Sequence, residues 1–176
     1  MQLNRRTFLT LGAAAAAVAA AGVGGVGITL YRWWDQPAEA GFRYLSPDEA
    51  AFVRAYAEAA FPSTEAVPFA PATAGLDHFI DAALESMPSD IGKALRTLLH
   101  AMDASTLPTE GAHFSALSVD ARAATLLGWM NADDANLRGI GNMLTLIVGM
   151  GYTSHPTVAP FFRAMHGCAF GLEYGS

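Results

Sequence analysis

Residues 46–61, "SPDEAAFVRAYAEAAF", decide the fold class of this chain. Ser46 is a preferred helix N-cap, Pro47 suits the first helical position, and Glu49 stands where the glutamate of a capping box belongs. Apolar residues then recur at helical spacing until Pro62 ends the pattern. The stretch therefore predicts an amphipathic helix. Its apolar stripe consists of Phe52, Val53, Tyr56 and Ala60.

The same helical pattern returns along the rest of the chain. Residues 76–87, 89–104, 118–130 and 133–150 are amphipathic, with Ser89 and Ser118 as expected N-caps. Connectors at 62–75 and 106–117 separate them, and no segment alternates as a strand would. We expect an all-α fold, a single compact domain of five or six helices over residues 41–176. The expected core-facing residues are Leu76, Phe79, Ile80, Leu84, Ile91, Leu95, Leu98, Leu99, Met102, Leu137, Ile140, Leu144 and Ile147.

An export signal is predicted over residues 1–40. A pair of arginines precedes a phenylalanine–leucine pair, and no further charge occurs before Arg32. This layout resembles the twin-arginine signal, from which Asn4 and Thr10 depart where serine or threonine and lysine are usual. The alternative, an ordinary amphipathic helix, is disfavoured because residues 7–31 supply no polar face. The residues expected to be read by the twin-arginine translocase are Arg5, Arg6, Phe8 and Leu9.

Two fates of this signal are open. Ala38-Glu39-Ala40 offers a small-x-small cleavage site that would release a chain beginning near Gly41. Residues 7–31 are also long enough to span a bilayer, which takes roughly 20 residues, with Trp33-Trp34 as an aromatic anchor. The glycine and alanine content of the segment favours cleavage. Both fates predict a periplasmic protein, held at the membrane through its complex or through residues 7–34.

Charge and cysteine content exclude several classes of function. Residues 41–176 carry seven Lys and Arg against fourteen Asp and Glu, which argues against binding nucleic acid or an anionic membrane. Cys168 is the single cysteine, so the chain cannot form an internal disulfide, a CxxCH haem site or a multi-cysteine cluster site. We expect a structural role for Cys168, because His166 two residues away would face another direction on a helix.

No stretch of the sequence predicts an active site. The five histidines lack zinc-helix spacing, and there is no phosphate loop or nucleophile elbow. Gly139-Ile140-Gly141 lies in a helical pattern and predicts close helix packing. Asp77, Asp81 and Glu85 recur every four residues, which is typical of a solvated face and less often of a docking site for a basic patch. We therefore assign no catalytic residue and no metal ligand.

Four blocks of the sequence resemble one family of oxidoreductase subunits. They are "FRYLSPDEAAFVRAYAEAAFPS" at 42–63, "ATAGLDHFIDAAL" at 72–84, "FSALSVDARAATLLGWM" at 114–130 and "MGYTSHP" at 150–156. In this order, and after a twin-arginine signal, they resemble the gluconate 2-dehydrogenase subunit 3 family. Its members are small subunits of membrane-associated flavin dehydrogenases, with a glycine–tyrosine turn near the C-terminus. The last twenty residues match only loosely.

The resemblance implies a non-catalytic subunit without a cofactor of its own. Its partner would be a large dehydrogenase subunit of the glucose-methanol-choline type that binds FAD. A multihaem cytochrome c, with haem c, would be a third subunit. The small subunit would carry the export signal for both chains, because flavin is loaded in the cytoplasm and the twin-arginine route carries folded proteins. The substrate would be chosen by the partner.

The C-terminal segment, residues 155–176, is the predicted partner interface. It is rich in aromatic residues and methionine, which are enriched at interfaces, but prolines and glycines break its helical pattern. The alternative is that its first aromatic residues close the domain's own core. The candidate interface residues are Phe161, Phe162, Met165, Phe170 and Tyr174.

Two other functions stay open at the level of sequence. One is a membrane-anchored helical scaffold without a redox partner. The other is a small exported enzyme whose histidine and carboxylate, for example His78 and Asp81, meet only in the folded chain.

Overall fold

The computed structural model describes residues 36–166 together with Trp33, apart from the side chains of Thr73, Met165 and His166. The predicted signal residues Arg5, Arg6, Phe8 and Leu9 therefore lie outside the described residues, as do Cys168, Phe170 and Tyr174.

The described part of the chain is helical and contains no strand, which confirms the all-α prediction. Six of its helices have eight residues or more, and one is a single turn. None of the helices described is both long and apolar enough to cross a membrane. Two short 3-10 helices, Pro71–Ala74 and Phe114–Ala116, lie in the connectors. The α-helices are α1 (Pro47–Ala60), α2 (Leu76–Ser86), α3 (Ser89–Ala104), α4 (Leu107–Glu110), α5 (Val119–Met130), α6 (Ala135–Ser154) and α7 (Ala159–His166).

Helix α1 lies at the centre of the domain and packs against α2, α3 and α5. Its predicted capping box is present: the Ser46 hydroxyl accepts from the amide of Glu49, whose carboxylate accepts from the amide of Ser46. The predicted stripe is buried at Phe52, Val53 and Tyr56. The capping box therefore fixes where α1 begins, and its apolar face is buried in the centre of the domain.

Glycines allow α6 to approach its neighbours closely. A Cβ added at Gly141 would lie 3.2 Å from Cβ of Trp129 on α5, so the predicted close packing is confirmed there. Gly139 faces open space and takes no part in it. A Cβ at Gly151 would lie 2.6 Å from the ring of Phe79 on α2. Small residues on the inner side of α6 therefore set its distance from α2 and α5.

Two predicted local features were wrong. Ser89 is the first residue of α3 and not its N-cap. The N-cap is Pro88, whose side chain cannot form a capping hydrogen bond. The glycine–tyrosine pair expected in a turn lies inside α6. There the Tyr152 hydroxyl donates to the carbonyl of Phe69, 2.6 Å away, which anchors the connector before α2 to the end of α6.

The connector after α3 contributes to the core. Phe114 is fully buried and its ring lies 5.4 Å from Phe52, 5.0 Å from Trp129 and 6.2 Å from Tyr56, measured between ring centres. Burying one such side chain stabilises a fold by about 1.5–3 kcal/mol. A residue of the predicted connector, Phe114, therefore packs between α1 and α5.

Candidate partner-binding surface

The carboxylate row of α2 is only partly solvated: the predicted solvated stripe is wrong at Asp81, whereas Glu85 is exposed as expected. Asp81 is only 9% exposed, and its carboxylate accepts the backbone amides of Arg43, Tyr44 and Leu45 at 2.8–2.9 Å. Burial raises the pKa of Asp81, but the three amide donors outweigh burial and hold the pKa below its usual value. Asp81 therefore fixes the chain that leads into α1.

The flanking carboxylates of α2 are also paired within the chain. Asp77 accepts from Nε of Arg54 at 2.6 Å, and Glu85 forms an ion pair with Arg43. These two internal cations offset part of the negative charge of the face, and Arg54 is also shared with Glu39. The α2 carboxylates thus tie the segment before α1, and α1 itself, to α2.

The geometry gives no support to a catalytic pair of His78 and Asp81. The His78 ring stacks on Phe42 with 4.5 Å between ring centres, and the Asp81 carboxylate is occupied by three backbone amides. Over residues 36–166, no group of three or more histidines, cysteines or carboxylates is arranged to hold a metal ion.

A buried ionic cluster joins α1 to α3 and was not predicted from the sequence. The side chain of Glu49 is fully buried, and its Oε1 accepts from Nε of Arg96 at 2.8 Å. Nε2 of His100 lies 3.1 Å from the same oxygen, although it does not have the geometry of a hydrogen bond. Trp33 stacks on the His100 ring at 5.0 Å. Burial raises the pKa of Glu49, but its contacts with His100, Arg96 and Ser46 outweigh burial and lower the pKa overall.

The outer side of α6 is the feature of the described surface that most resembles a binding site. Residues 139–154 contain no charged side chain. Met143, Leu146 and Met150 recur at helical spacing and are 38%, 64% and 57% exposed. We call these three residues the α6 face. An exposed apolar row of this kind, with no charge beside it on its own helix, is typical of a protein–protein interface.

Helix α5 also carries exposed large apolar residues. Leu127 is 59% exposed on α5, the helix that packs against α6. Val119, the first residue of α5, is 48% exposed and lies eight residues before Leu127. The other large exposed apolar side chains of the described chain, Tyr44 and Leu107, belong to other elements. Single exposed apolar residues are common on soluble proteins, whereas the α6 face is a regular row.

The predicted C-terminal interface is described only in part. The Phe161 ring lies edge-on to Phe69 at 5.3 Å, and the Phe162 ring lies edge-on to Tyr152 at 6.1 Å. Both phenylalanines are half-buried, so they cover the core, as the alternative reading expected. Met165 belongs to α7, but its side chain is not described. A contact between this segment and a partner stays a prediction.

The comparison with known proteins identifies the family. The profile of the family described as gluconate 2-dehydrogenase subunit 3 matches residues 47–167, from the first residue of α1 to one residue beyond α7. Neither a curated protein nor a solved structure matches the chain. The family match includes all seven helices and the α6 face. The chain therefore belongs to the gluconate 2-dehydrogenase subunit 3 family, a family of dehydrogenase subunits.

Proposed function

We propose that this chain is the non-catalytic small subunit of an exported FAD-dependent dehydrogenase complex of the glucose-methanol-choline type. In this proposal it carries the export signal of the complex and escorts or stabilises the large flavoprotein subunit. The observation that carries the proposal is the family match over residues 47–167. FAD belongs to the large subunit and haem c to a multihaem cytochrome c, and the complex acts in the periplasm at the membrane.

The geometry of the domain supports a role in binding and not in chemistry. Glu49 and Asp81 are buried, and their carboxylates bind Arg96 and backbone amides of the same chain. Asp103 accepts the backbone amide of Ser115 at 2.8 Å and pairs with His113 at 2.9 Å, which fixes the connector after α3. Each of these carboxylates therefore has a partner within the chain that accounts for its position.

The α6 face is the surface through which we propose that the large subunit is held. Methionine side chains are flexible and adapt to the shape of an apolar partner, and methionine is enriched at interface cores. Met143 and Met150 flank Leu146, the most exposed of the three. Burying the row against a partner would remove apolar surface from water without leaving a charge of residues 139–154 unpaired.

Export of the partner by this chain is tested by co-expression. The large subunit, without a signal of its own, is expressed with either the wild-type chain or the Arg5→Lys/Arg6→Lys variant. The variant keeps the positive charge but loses the arginine pair that the receptor reads. We expect the large subunit in the periplasm with the wild type and in the cytoplasm with the variant.

The matched control is Arg32→Lys, which changes an arginine outside the signal motif and should leave export unchanged. Equal export of both chains by the double variant would refute the twin-arginine assignment. A small subunit that is exported alone, while the large subunit stays behind, would refute the escort role and favour a scaffold without a redox partner.

A further inference from the structure

We infer that Trp33 and residues 36–40 are a permanent part of the folded domain, and that Ala38-Glu39-Ala40 is not used as a cleavage site. The small-x-small motif offers a cleavage site before Gly41, and the glycine and alanine content of the preceding segment favours its use. Instead, described residues on the N-terminal side of that position make contacts with α1 and α3. The inference rests on the proposed export insofar as it concerns processing, whereas its structural part stands without it.

Glu39, the middle residue of the motif, is held by its backbone and by its side chain. Its amide donates to the carbonyl of Leu45 at 2.8 Å, and its own carbonyl accepts from the amide of Phe42 at 2.9 Å. Its carboxylate lies 3.1 Å from Nη2 of Arg54 on α1. Arg54 is shared with Asp77, so Glu39 joins an ion network that connects α1 and α2. The motif is therefore folded back on the domain.

Two residues further upstream extend these contacts. Nε2 of Gln36 donates to Asp48 in the first turn of α1 at 3.1 Å. The Trp33 ring is stacked on the His100 ring, with an angle of 6° between the ring planes and 5.0 Å between ring centres. His100 is buried beside Glu49, so Trp33 covers one face of the ionic cluster. A chain beginning at Gly41 would lose this cover together with every contact of Gln36 and Glu39.

The backbone around the motif is also a poor protease substrate. Proteases bind their substrates as extended chain, and a segment that is hydrogen-bonded to its own fold must first open. Gly41 has a φ of 97°, in the left-handed region, so the bond before it lies in a turn and not in an extended stretch. Cleavage there would need the turn and the Glu39 contacts to open together. Residues 7–31 would then stay attached to the domain and be available as its membrane anchor.

The processing arm of the test uses the full chain, tagged at its C-terminus and co-expressed with the large subunit. The chain recovered from the cell envelope is analysed by intact mass. We expect an N-terminus at or before Trp33, and a chain that begins at Gly41 would overturn the inference. The Trp33→Ala/Glu39→Gln variant loosens the contacts and should yield chain cut before Gly41, whereas Glu65→Gln, a matched loss of charge elsewhere, should not. A variant that stays uncut would overturn these contacts as the cause of protection.

A second arm does not depend on export. The same full-length chains are purified in detergent and melted. Loss of the Trp33 and Glu39 contacts should lower the melting temperature by about 2–4 °C, and Glu65→Gln should leave it unchanged. An unchanged melting temperature in the Trp33→Ala/Glu39→Gln variant would overturn the structural part of the inference. If instead no chain reaches the periplasm while the melting result holds, the proposed export fails and the structural part of the inference stands.

Discussion

Gly151→Ala offers the sharpest test of the packing between α2 and α6. The new Cβ would lie 2.6, 2.8 and 3.0 Å from three atoms of the Phe79 ring, Cδ1, Cγ and Cε1. These atoms belong to the body of the ring and not to the end of a flexible chain. Either the ring must turn out of its place or the two helices must separate.

Two opposing effects set the size of the change. Replacing glycine by alanine inside a helix gains about 1 kcal/mol from helix propensity. Overpacking a core typically costs about 1–3 kcal/mol, and three ring atoms within 3.0 Å place this site at the upper end. We therefore expect a net loss of about 2 kcal/mol, which lowers the melting temperature by about 4–8 °C in a chain of this size.

Gly139→Ala is the matched control on the same helix. A Cβ at Gly139 would meet nothing within 4 Å, so only the propensity gain remains. We expect stabilisation by about 1 kcal/mol and a melting temperature about 2–4 °C higher. Thermal unfolding of the full-length chains, followed by circular dichroism, measures both changes. A Gly151→Ala chain that is as stable as wild type would refute the close approach of α2 and α6.

Charge placed on the α6 face should weaken binding of the large subunit. Leu146→Asp is expected to reduce the affinity for the large subunit about tenfold or more, roughly 1.4 kcal/mol. Leu107→Asp, the same change at an exposed leucine of α4, should leave that affinity unchanged. Since the face is uncharged, the wild-type complex should also survive about 1 M salt. Glu49→Gln keeps the capping box but leaves Arg96 without its carboxylate, and should cost about 3–5 kcal/mol in unfolding titrations. The pKa values of Glu49 and Asp81 are both lowered by folding, so the stability they contribute is present above the ordinary carboxyl pKa and lost as the pH falls through the folded values. Melting temperatures should accordingly fall steeply below about pH 4, less so in Glu49→Gln. Finally, the purified chain should show no visible absorbance band, and a flavin or haem band would contradict the assignment of both cofactors to partners.

Local sequence signals were sufficient for the starts of α1 and α5, but they did not predict α4 or α7. Ser46, Pro47 and Glu49 act within one turn of each other, so the start of α1 could be predicted without knowing what surrounds it. Ser118 likewise caps α5 by accepting from the amide of Ala121. Ser89 failed because Pro88 before it occupies the cap position with an extended backbone, which moves the serine into the helix.

Contacts between distant parts of the chain could not be predicted. Asp81 binds amides 36–38 residues upstream, and Glu49 meets Arg96 47 residues away. A four-residue spacing shows which carboxylates share a helix face, but not which backbone or cation covers that face. The spacing therefore predicted a solvated row on α2, although Asp81 is buried against the segment that leads into α1.

The α6 face could not be predicted from the sequence for a different reason. Residues 139–154 are uncharged on every side, so the pattern does not tell a buried face from an exposed one. The predicted stripe was buried at Leu144, while Leu137, Ile140 and Ile147 are only partly buried. The innermost line of α6 instead includes Gly141 and Gly151, which a search for large apolar residues overlooks.

The distribution of charge explains why an apolar face is the better candidate for holding a partner. Arg43, Arg54, Arg96 and Arg122 each pair with a carboxylate of the same chain. The paired cations connect helices and connectors, and the acidic residues of the chain outnumber the basic ones. A basic partner that approached these paired carboxylates would compete with the internal pairs. A partner that covers the α6 face displaces only water, so binding leaves the ion pairs that maintain the fold intact.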